Sequence, residues 1–174
     1  SNFRSVLTYL KDHPISGTSA ERNTILRKAL NLIPHRLLTL YLSAYQSWLW
    51  NLITARYIAE MVAEQHFASP TIRVAGHELP IYYNLPESVR VHIDRLNIPL
   101  PNHRAVYADP ALARITDSVM AEEGLTLNDF KARILKKAFA AKSSRPLVVH
   151  PTDIQPGEPE NDELARKRWK VTLR

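Results

Sequence analysis

The chain has 174 residues, which is long enough for one sizeable hydrophobic core or two small ones. Hydrophobic residues make up 45% and charged residues 23% of it, as in ordinary globular domains, and no uninterrupted apolar run reaches the ~18 residues of a membrane-spanning helix. The formal net charge of +6 favours a polyanionic partner, although many basic domains bind no nucleic acid.

The chain contains no cysteine, which excludes a disulfide framework, a thiolate metal site and a cysteine nucleophile. Its start, Ser-Asn-Phe-Arg, shows no basic segment followed by an apolar one, so nothing indicates secretion. We therefore expect a cytoplasmic protein. The chain also lacks an initiator methionine, as expected after tag processing or of a piece cut from a longer chain.

Two short helices are predicted in the first part of the chain. Apolar residues spaced three and four apart predict an amphipathic helix over residues 3–11, which Pro14 ends. Thr18 and Glu21 then match a capping box, in which the hydroxyl and the carboxylate each satisfy a backbone donor that the helix leaves free. The second helix is therefore predicted to begin near Ser19.

A long helix over residues 34–65 is the predicted centre of the domain. Its apolar or small residues keep one face apolar for roughly seven turns, and Pro34 suits the first helical position. The middle turns are apolar nearly all round, so shorter elements must wrap them. The face comprises Leu38, Tyr41, Tyr45, Trp48, Leu52, Ala55, Ala59 and Val62.

Polar residues are set into this apolar helix. Ser43, Ser47 and Asn51 are spaced four apart and share one line, with Gln46 and Thr54 beside them. Burying an unpaired amide or hydroxyl costs about 1–3 kcal/mol, so each group needs a partner in the fold or at a binding surface. The alternative to a functional role is bonding to the neighbouring backbone.

The pattern changes after the long helix. Residues 71–74 alternate like a strand, and residues 81–83 are the predicted partner in a small hairpin. A short helix is predicted over residues 86–97. Residues 98–101 are predicted to form an extended loop, because a residue before proline avoids the helical region.

Two further helices are predicted in the second half. Asp109 as a cap, Pro110 as the first helical residue and Gly124 after the last turn bound a helix over residues 110–123. Another is predicted over residues 126–142, with one apolar side and a basic polar side. Together these elements predict an α+β, mostly helical fold, with helices packed around one long central helix, a small β component and a C-terminal strand.

The last part of the chain is predicted to end in a strand without a partner. Residues 145–150 predict a short buried strand, and residues 151–163, rich in proline, glycine and acid, an exposed connection. Residues 166–174 alternate basic or polar with apolar residues, as in a half-buried strand. Since one strand is not stable alone and few others are predicted, we expect its partners to lie outside this chain.

Motifs for metal and nucleotide chemistry are absent. The seven histidines never pair at the spacing of helical metal sites, so no metal is predicted. None of the four glycines forms a phosphate-binding loop, and no cofactor is expected. A GxSxG elbow is also absent, although a Ser-His-Asp triad needs no adjacency in sequence and stays open.

Part of the long predicted helix is recognisable. Residues 44–51, Ala-Tyr-Gln-Ser-Trp-Leu-Trp-Asn, resemble the signature helix of the TruD family of RNA pseudouridine synthases. Trp50 stands where that family usually has phenylalanine, a change in volume that says little about function. The residues that carry this resemblance are Tyr45, Gln46, Ser47 and Asn51, with Arg36 and Arg56 on either side.

Three later segments follow in the order that the same family shows. They are residues 124–130, 145–151 and 170–174, with the acidic connection between the last two. The resemblance therefore covers residues 20–174. The ordered set is more specific than the helix motif alone.

The resemblance implies a function and a domain organisation. Such enzymes convert uridine to pseudouridine in RNA, typically transfer RNA, without a cofactor, and an aspartate on their catalytic domain does the chemistry. A mostly helical insertion interrupts that domain, and RNA binds between the two. By this resemblance, residues 1–165 are the insertion, and residues 166–174 form a strand that leads back into a catalytic domain missing from this chain.

The family's catalytic motifs are not found in the sequence. Its catalytic aspartate segment, its Asn-x-Phe-Gly-x-Gln-Arg-Phe-Gly element and its Gly-Ser-Tyr-Ala-Thr element are all absent. Isomerising uridine requires a positioned carboxylate in a pocket that accepts a flipped base. We therefore predict no catalytic residue here, and an inactive isolated chain of an active parent enzyme. The aspartates, which we expect at caps, helix faces and loops, are Asp12, Asp94, Asp109, Asp117, Asp129, Asp153 and Asp162.

Basic residues of the last predicted helix and of the terminal strand are the candidates for RNA contact, because neutralising a phosphate releases counterions. Trp169 suits base stacking, but it is equally the kind of residue that packs in a core. The alternative for the helix is a solvated face, and for the whole chain a basic helical protein-interaction or assembly module without an RNA role. The candidates are Arg133, Lys136, Lys137, Lys142, Arg145, Arg168 and Lys170.

Overall fold

The computed structural model describes residues 2–64, 71–74, 77–80, 85–131, 140–150 and 152. Within these ranges the chain is mostly helical, with two small antiparallel sheets, which confirms the predicted fold class. The helices are α1 (Asn2–Asp12), α2 (Ser19–Leu30), α3 (His35–Glu64), α4 (Glu87–Arg95) and α5 (Pro110–Glu122), and Leu127–Lys131 forms a 3-10 turn. The strands are β1 (Thr71–Val74), β2 (His77–Pro80), β3 (Asn97–Pro99) and β4 (Ser144–Pro146).

The capping box before α2 is formed as predicted. The Thr18 N–H donates to Glu21 Oε2 at 2.7 Å, and the Glu21 N–H donates to Thr18 Oγ1 at 3.4 Å. Gly17 precedes this box with φ +88°, and a Cβ at that position would collide with the Glu21 carboxylate. Glycine is therefore required there both by the backbone conformation and by the close approach of the capping side chain.

The central helix α3 has almost its predicted length. It begins one residue later than predicted, because Pro34 lies before the first turn and its carbonyl accepts from the N–H groups of Leu37 and Leu38 at 2.9 and 3.1 Å. Proline at this place contributes a cap through its carbonyl rather than filling the first helical position. The helix packs chiefly against α5.

One hydrophobic core surrounds the middle of α3. Leu49 and Ile53 are fully buried on that helix, and α5 lays its apolar face against them. Trp48 and Trp50 are partly buried at the border of this core. The buried line of the helix thus runs through Leu49 and Ile53, whereas the predicted apolar face is mostly only partly buried, and its Tyr41 and Ala59 are exposed. The core comprises Leu49, Ile53, Tyr57, Ile98, Leu112, Ile115, Val119, Met120, Phe130 and Ala140.

The caps of α5 are also as predicted. Asp109 Oδ1 accepts from the N–H groups of Ala111 and Leu112 at 2.7 and 3.3 Å, and Pro110 is the first helical residue. Gly124, just beyond the helix, has φ +66°, a left-handed conformation that glycine adopts readily. The shorter helix α4 agrees with its prediction apart from its ends.

The strands differ from their predictions in partner and exposure. β1 pairs with β2, whereas residues 81–83, its predicted partner, lie outside the described residues. The predicted loop over residues 98–101 begins as strand β3, which pairs with β4 in the register Ile98↔Arg145. The prediction of a buried strand from residue 145 is wrong, because all three residues of β4 are exposed.

The prediction of one helix over residues 126–142 is wrong where the structure describes that segment. Thr126 and Asp129 cap only the short 3-10 turn, with Thr126 N–H donating to Asp129 Oδ2 at 2.7 Å. Residues 140–143 are not helical, and residues 132–139 lie outside the described part. The predicted connection over residues 151–163 and the predicted terminal strand also lie outside it, apart from residue 152, which is exposed.

Candidate nucleic-acid interface

Two hydroxyls of α3 are satisfied by the backbone of the helix itself. Ser47 Oγ donates to the Ser43 carbonyl at 2.8 Å, and Thr54 Oγ1 lies 2.9 Å from the carbonyl of Trp50. Asn51 is exposed. For Ser47 and Thr54 the local alternative therefore holds, and these groups need no further partner to explain their burial.

Gln46 makes long-range contacts instead. Its side chain is 0% exposed, and Nε2 donates to the carbonyls of Pro101 and Ala141 at 2.7 and 2.9 Å. Its Oε1 accepts from the Ala141 N–H at 2.7 Å. One amide thus holds both backbone groups of Ala141 and the carbonyl of a second segment. These bonds hold the backbone of Ala141, which is not helical.

The two segments that Gln46 holds form a ribbon, which we define as residues 95–104 and 140–147. Pairing continues beyond its strands, since Leu100 N–H donates to Ser143 O at 3.0 Å and Leu147 N–H donates to Leu96 O at 2.9 Å. Trp50 adds a second anchor, because its indole N–H donates to the Ile98 carbonyl at 3.1 Å. The signature helix therefore fixes the ribbon through two side chains, Gln46 and Trp50.

Four basic side chains of the ribbon are exposed. Arg145 lies on β4 opposite Ile98, and Lys142 directly follows Ala141, whose backbone is bonded to Gln46. Arg95 and Arg104 lie at the two ends of the other segment. Among the residues that the structure describes, none of these four cations forms an ion pair. They are therefore available to an anionic ligand on an anchored backbone.

The predicted contact residues are only partly covered by the structure. Lys142 and Arg145 are on the ribbon, whereas Arg95 and Arg104 were not selected from the sequence. The pairing of residues distant in the chain is what places the segment of these two arginines against the segment of the predicted pair, and no local pattern in the sequence indicates it. The other predicted contact residues, Arg133, Lys136, Lys137, Arg168 and Lys170, lie outside the described residues.

Two signature residues brace α3 against the end of α5. Tyr45 stacks on Trp48 with ring centroids 5.5 Å apart, and its hydroxyl donates to Glu123 at 2.8 Å. Burial, reinforced by Glu123, raises the pKa of Tyr45 to about 12. Arg56 forms a bidentate pair with Glu122, both bonds being 2.6 Å long. This hydrogen bonding lowers the pKa of the Glu122 carboxyl.

The remaining arginine of the signature is not brought to the ribbon. Arg36 is exposed in the first turn of α3 and lies about 15 Å along the helix axis from Gln46. Arg56, in turn, is occupied by its carboxylate. The structure therefore separates the signature residues into one that holds the ribbon, two that hold α5, and three that make local or solvent contacts.

A cluster that sequence analysis missed lies where α3 meets the start of α5. The Tyr57 hydroxyl donates to Asp109 Oδ2 at 2.6 Å and lies 3.0 Å from His92 Nε2. The bond from Tyr57 lowers the pKa of the Asp109 carboxyl. An open cavity of about 340 Å³ adjoins the cluster, lined also by Glu60, Met61 and Ala111. The cap uses only Oδ1 of Asp109. The free second oxygen of a capping aspartate was the one feature of the sequence that could have indicated a further hydrogen-bond donor.

The described part of the chain offers neither a metal-binding cluster nor a membrane-spanning helix. No group of three or more histidine, aspartate or glutamate side chains within it is arranged to hold a metal ion. None of its helices is both long enough and apolar enough to cross a membrane.

The signature helix agrees with a match to one protein family. The model of the family tRNA pseudouridine synthase D (TruD) matches residues 2–173. The chain belongs to the TruD family, as the resemblance of its central helix predicted.

Two curated relatives from archaea are similar to the chain. Probable tRNA pseudouridine synthase D 1 of Methanococcus maripaludis is 26% identical over 147 residues, which cover 84% of this chain and 36% of that protein. Probable tRNA pseudouridine synthase D 2 of Methanocaldococcus jannaschii is also 26% identical over 147 residues, covering 84% of this chain and 34% of that protein. The chain thus spans about a third of the length of these relatives. No solved structure matches it.

Proposed function

We propose that this chain is the RNA-binding insertion domain of a TruD-type tRNA pseudouridine synthase that acts in the cytoplasm without a cofactor. Residues 1–165 form the insertion, and residues 166–174 lead back into the catalytic domain. The parent enzyme isomerises uridine in transfer RNA, and the isolated chain does not. The family membership supports the reaction, and the names of both relatives carry the same activity.

The ribbon is the observation that carries the RNA-binding role. Its exposed Lys142 and Arg145 form no ion pair with a described carboxylate, and Gln46 fixes the backbone beside them. Phosphate contacts position a nucleic acid best when the cations stand on a rigid frame, because less freedom is lost on binding. A basic surface that was only solvated would not need a buried amide with three hydrogen bonds beneath it.

The environment of the two described aspartates that cap helical turns supports an inactive fragment. Asp109 borders a cavity, but its two oxygens accept from the backbone of α5 and from Tyr57. Asp129 is similarly occupied by the N–H and hydroxyl of Thr126. A carboxylate committed to capping is poorly placed to act on a flipped base. The reactive carboxylate is therefore assigned to the catalytic domain of the parent.

Salt-dependent binding of transfer RNA tests the interface. Each phosphate contact that is lost should reduce the slope of log affinity against log salt by about one unit, so the double variant K142Q/R145Q of the parent enzyme should lose about two. The matched control is R73Q/K131Q, which removes the same charge from two exposed residues outside the ribbon. Equal slopes for the two double variants would contradict the assignment of the interface.

Two further measurements separate the proposal from its rival, a basic helical assembly module without an RNA role. Absence of transfer RNA binding at low salt, for both the chain and the parent, favours the rival. Pseudouridine formation is measured on the parent and on the 174-residue chain in parallel. Product from the chain alone would show that the catalytic group resides within it, contrary to the proposal.

A further inference from the structure

The first two helices expose apolar side chains in an ordered pattern. Phe3 and Leu7 are four residues apart on α1 and are 57% and 67% exposed. Leu26 and Leu30 are four residues apart on α2, and each is 39% exposed. Residues four apart lie on one helical face, so each helix presents an apolar pair to its surroundings. We call these four residues the hairpin patch.

The hairpin patch is separate from the seam between the two helices. Val6 and Leu10 of α1 are partly buried, and Ala29 of α2 is buried, so the helices already pack against each other through other residues. The two apolar pairs of the patch therefore remain exposed on the hairpin, which we define as residues 2–30. Exposed apolar patches that are rimmed by polar residues mark interaction surfaces.

Charge restricts what can cover this face. The hairpin carries five basic and only two acidic side chains. Two copies of the hairpin placed patch to patch would bring like charges together, which costs free energy at an interface. A covering surface with an acidic rim fits better. The basic residues are Arg4, Lys11, Arg22, Arg27 and Lys28, and the acidic ones are Asp12 and Glu21.

The length of the relatives indicates what could cover the hairpin patch. The matched region is 36% and 34% of the two TruD relatives, so about two thirds of such a polypeptide lies outside the region that this chain represents. That remainder is tethered to the chain, and a tethered surface binds at an effective concentration in the millimolar range, so a modest apolar patch is sufficient.

We propose that the hairpin patch is the docking surface for the remainder of the TruD polypeptide, which covers it with an apolar surface bordered by acidic side chains. This inference rests on the proposed function only in assuming a longer parent chain. On docking, Phe3, Leu7, Leu26 and Leu30 leave water together, and the basic rim meets the acidic border.

Thiol labelling tests the docking, because the chain has no cysteine of its own. L7C and L26C are made in the 174-residue chain and in the parent, whose other cysteines are replaced by serine. V106C is the matched control, since Val106 is also an exposed apolar residue, 79% exposed, but lies outside the hairpin. Circular dichroism checks that each variant keeps its helices.

The expected result is protection in the parent alone. In the 174-residue chain, all three thiols should react at similar rates with a soluble maleimide. In the parent, L7C and L26C should react at least about tenfold more slowly, while V106C keeps its rate.

Three results would overturn the proposal. Equal rates in chain and parent would show that nothing docks on the patch. Protection in the chain alone that rises with protein concentration would identify a second copy as the occupant. Protection in the chain alone at every concentration would mean that its own residues cover the patch. The labelling needs neither RNA nor turnover, so a failure of RNA binding leaves its outcome unaffected.

Discussion

The hairpin and the rest of the described chain are stabilised in different ways. We call residues 42–64, 85–131 and 140–150 the body. Apart from Ala29 and Leu38, every apolar side chain that the structure describes as buried belongs to the body. The hairpin relies on local devices, such as the capping box and the stacking of Tyr9 on His13, whose ring centroids are 4.2 Å apart. Local devices specify helices, whereas a shared core makes elements unfold together.

The largest expected difference is between truncations of an apolar side chain in each of the two regions. I53A removes a fully buried side chain of the body and should lower the free energy of unfolding by about 2–5 kcal/mol. L7A, in the hairpin, should change it by less than about 0.5 kcal/mol, because the side chain is mostly exposed. Urea denaturation of both variants measures this. A loss for L7A as large as that for I53A would remove the contrast between the regions.

Within the body, the three hydrogen bonds of Gln46, which we call the Gln46 clamp, should be the next most costly contact to remove. Q46L keeps the volume but leaves the backbone groups of Pro101 and Ala141 without their partner, so a loss of about 2–3 kcal/mol is expected. Hydrogen exchange at the Ala141 amide should accelerate as well. S47A is the control, since Ser47 bonds only within its own helix and should cost less than about 1 kcal/mol. Similar losses for Q46L and S47A would show that the clamp contributes little.

Local signals in the sequence were sufficient for most of the helices. Thr18 with Glu21, and Asp109 with Pro110, marked helix starts that the structure confirms, because each cap is made by residues within three positions of the helix it begins. The wrapped middle of α3 was predictable for a related reason. A face that is apolar nearly all round has to be covered, whatever covers it.

The ribbon was not predictable in the same way. The sequence indicated that Gln46 needs a partner, but the partner is the backbone at residues 101 and 141, and backbone groups carry no sequence signature. For the same reason, helical periodicity predicted a helix that continues to residue 142. Residues 140–143 are not helical, and Gln46 bonds to both backbone groups of Ala141. The bond from Tyr57 to Asp109 likewise joins residues that only the fold brings together.

In the hairpin, removing the capping hydroxyl tests whether local stability is independent of the body. T18A should destabilise α2 by about 1 kcal/mol, because it removes the acceptor for the Glu21 N–H. Amide exchange in α2 should accelerate several-fold while core amides of the body keep their rates. T8A, an exposed position on α1, serves as the control for adding alanine to a helix of the hairpin. Equal acceleration in the body would show that hairpin and body unfold as one unit.

The smallest expected effect is a pH dependence that only the body should show. Donation by Tyr57 lowers the pKa of the folded-state Asp109 carboxyl, so its stabilisation is present at neutral pH and is lost as the pH falls through that lowered pKa. The stability difference between wild type and Y57F should therefore shrink between neutral pH and about pH 3. Y107F is the matched control, because the Tyr107 hydroxyl donates to the Pro99 carbonyl, which does not titrate, so its difference should stay constant. Urea midpoints at the two pH values measure this, and a Y57F difference that persists unchanged in acid would show that the Tyr57 hydroxyl stabilises the body independently of the Asp109 charge.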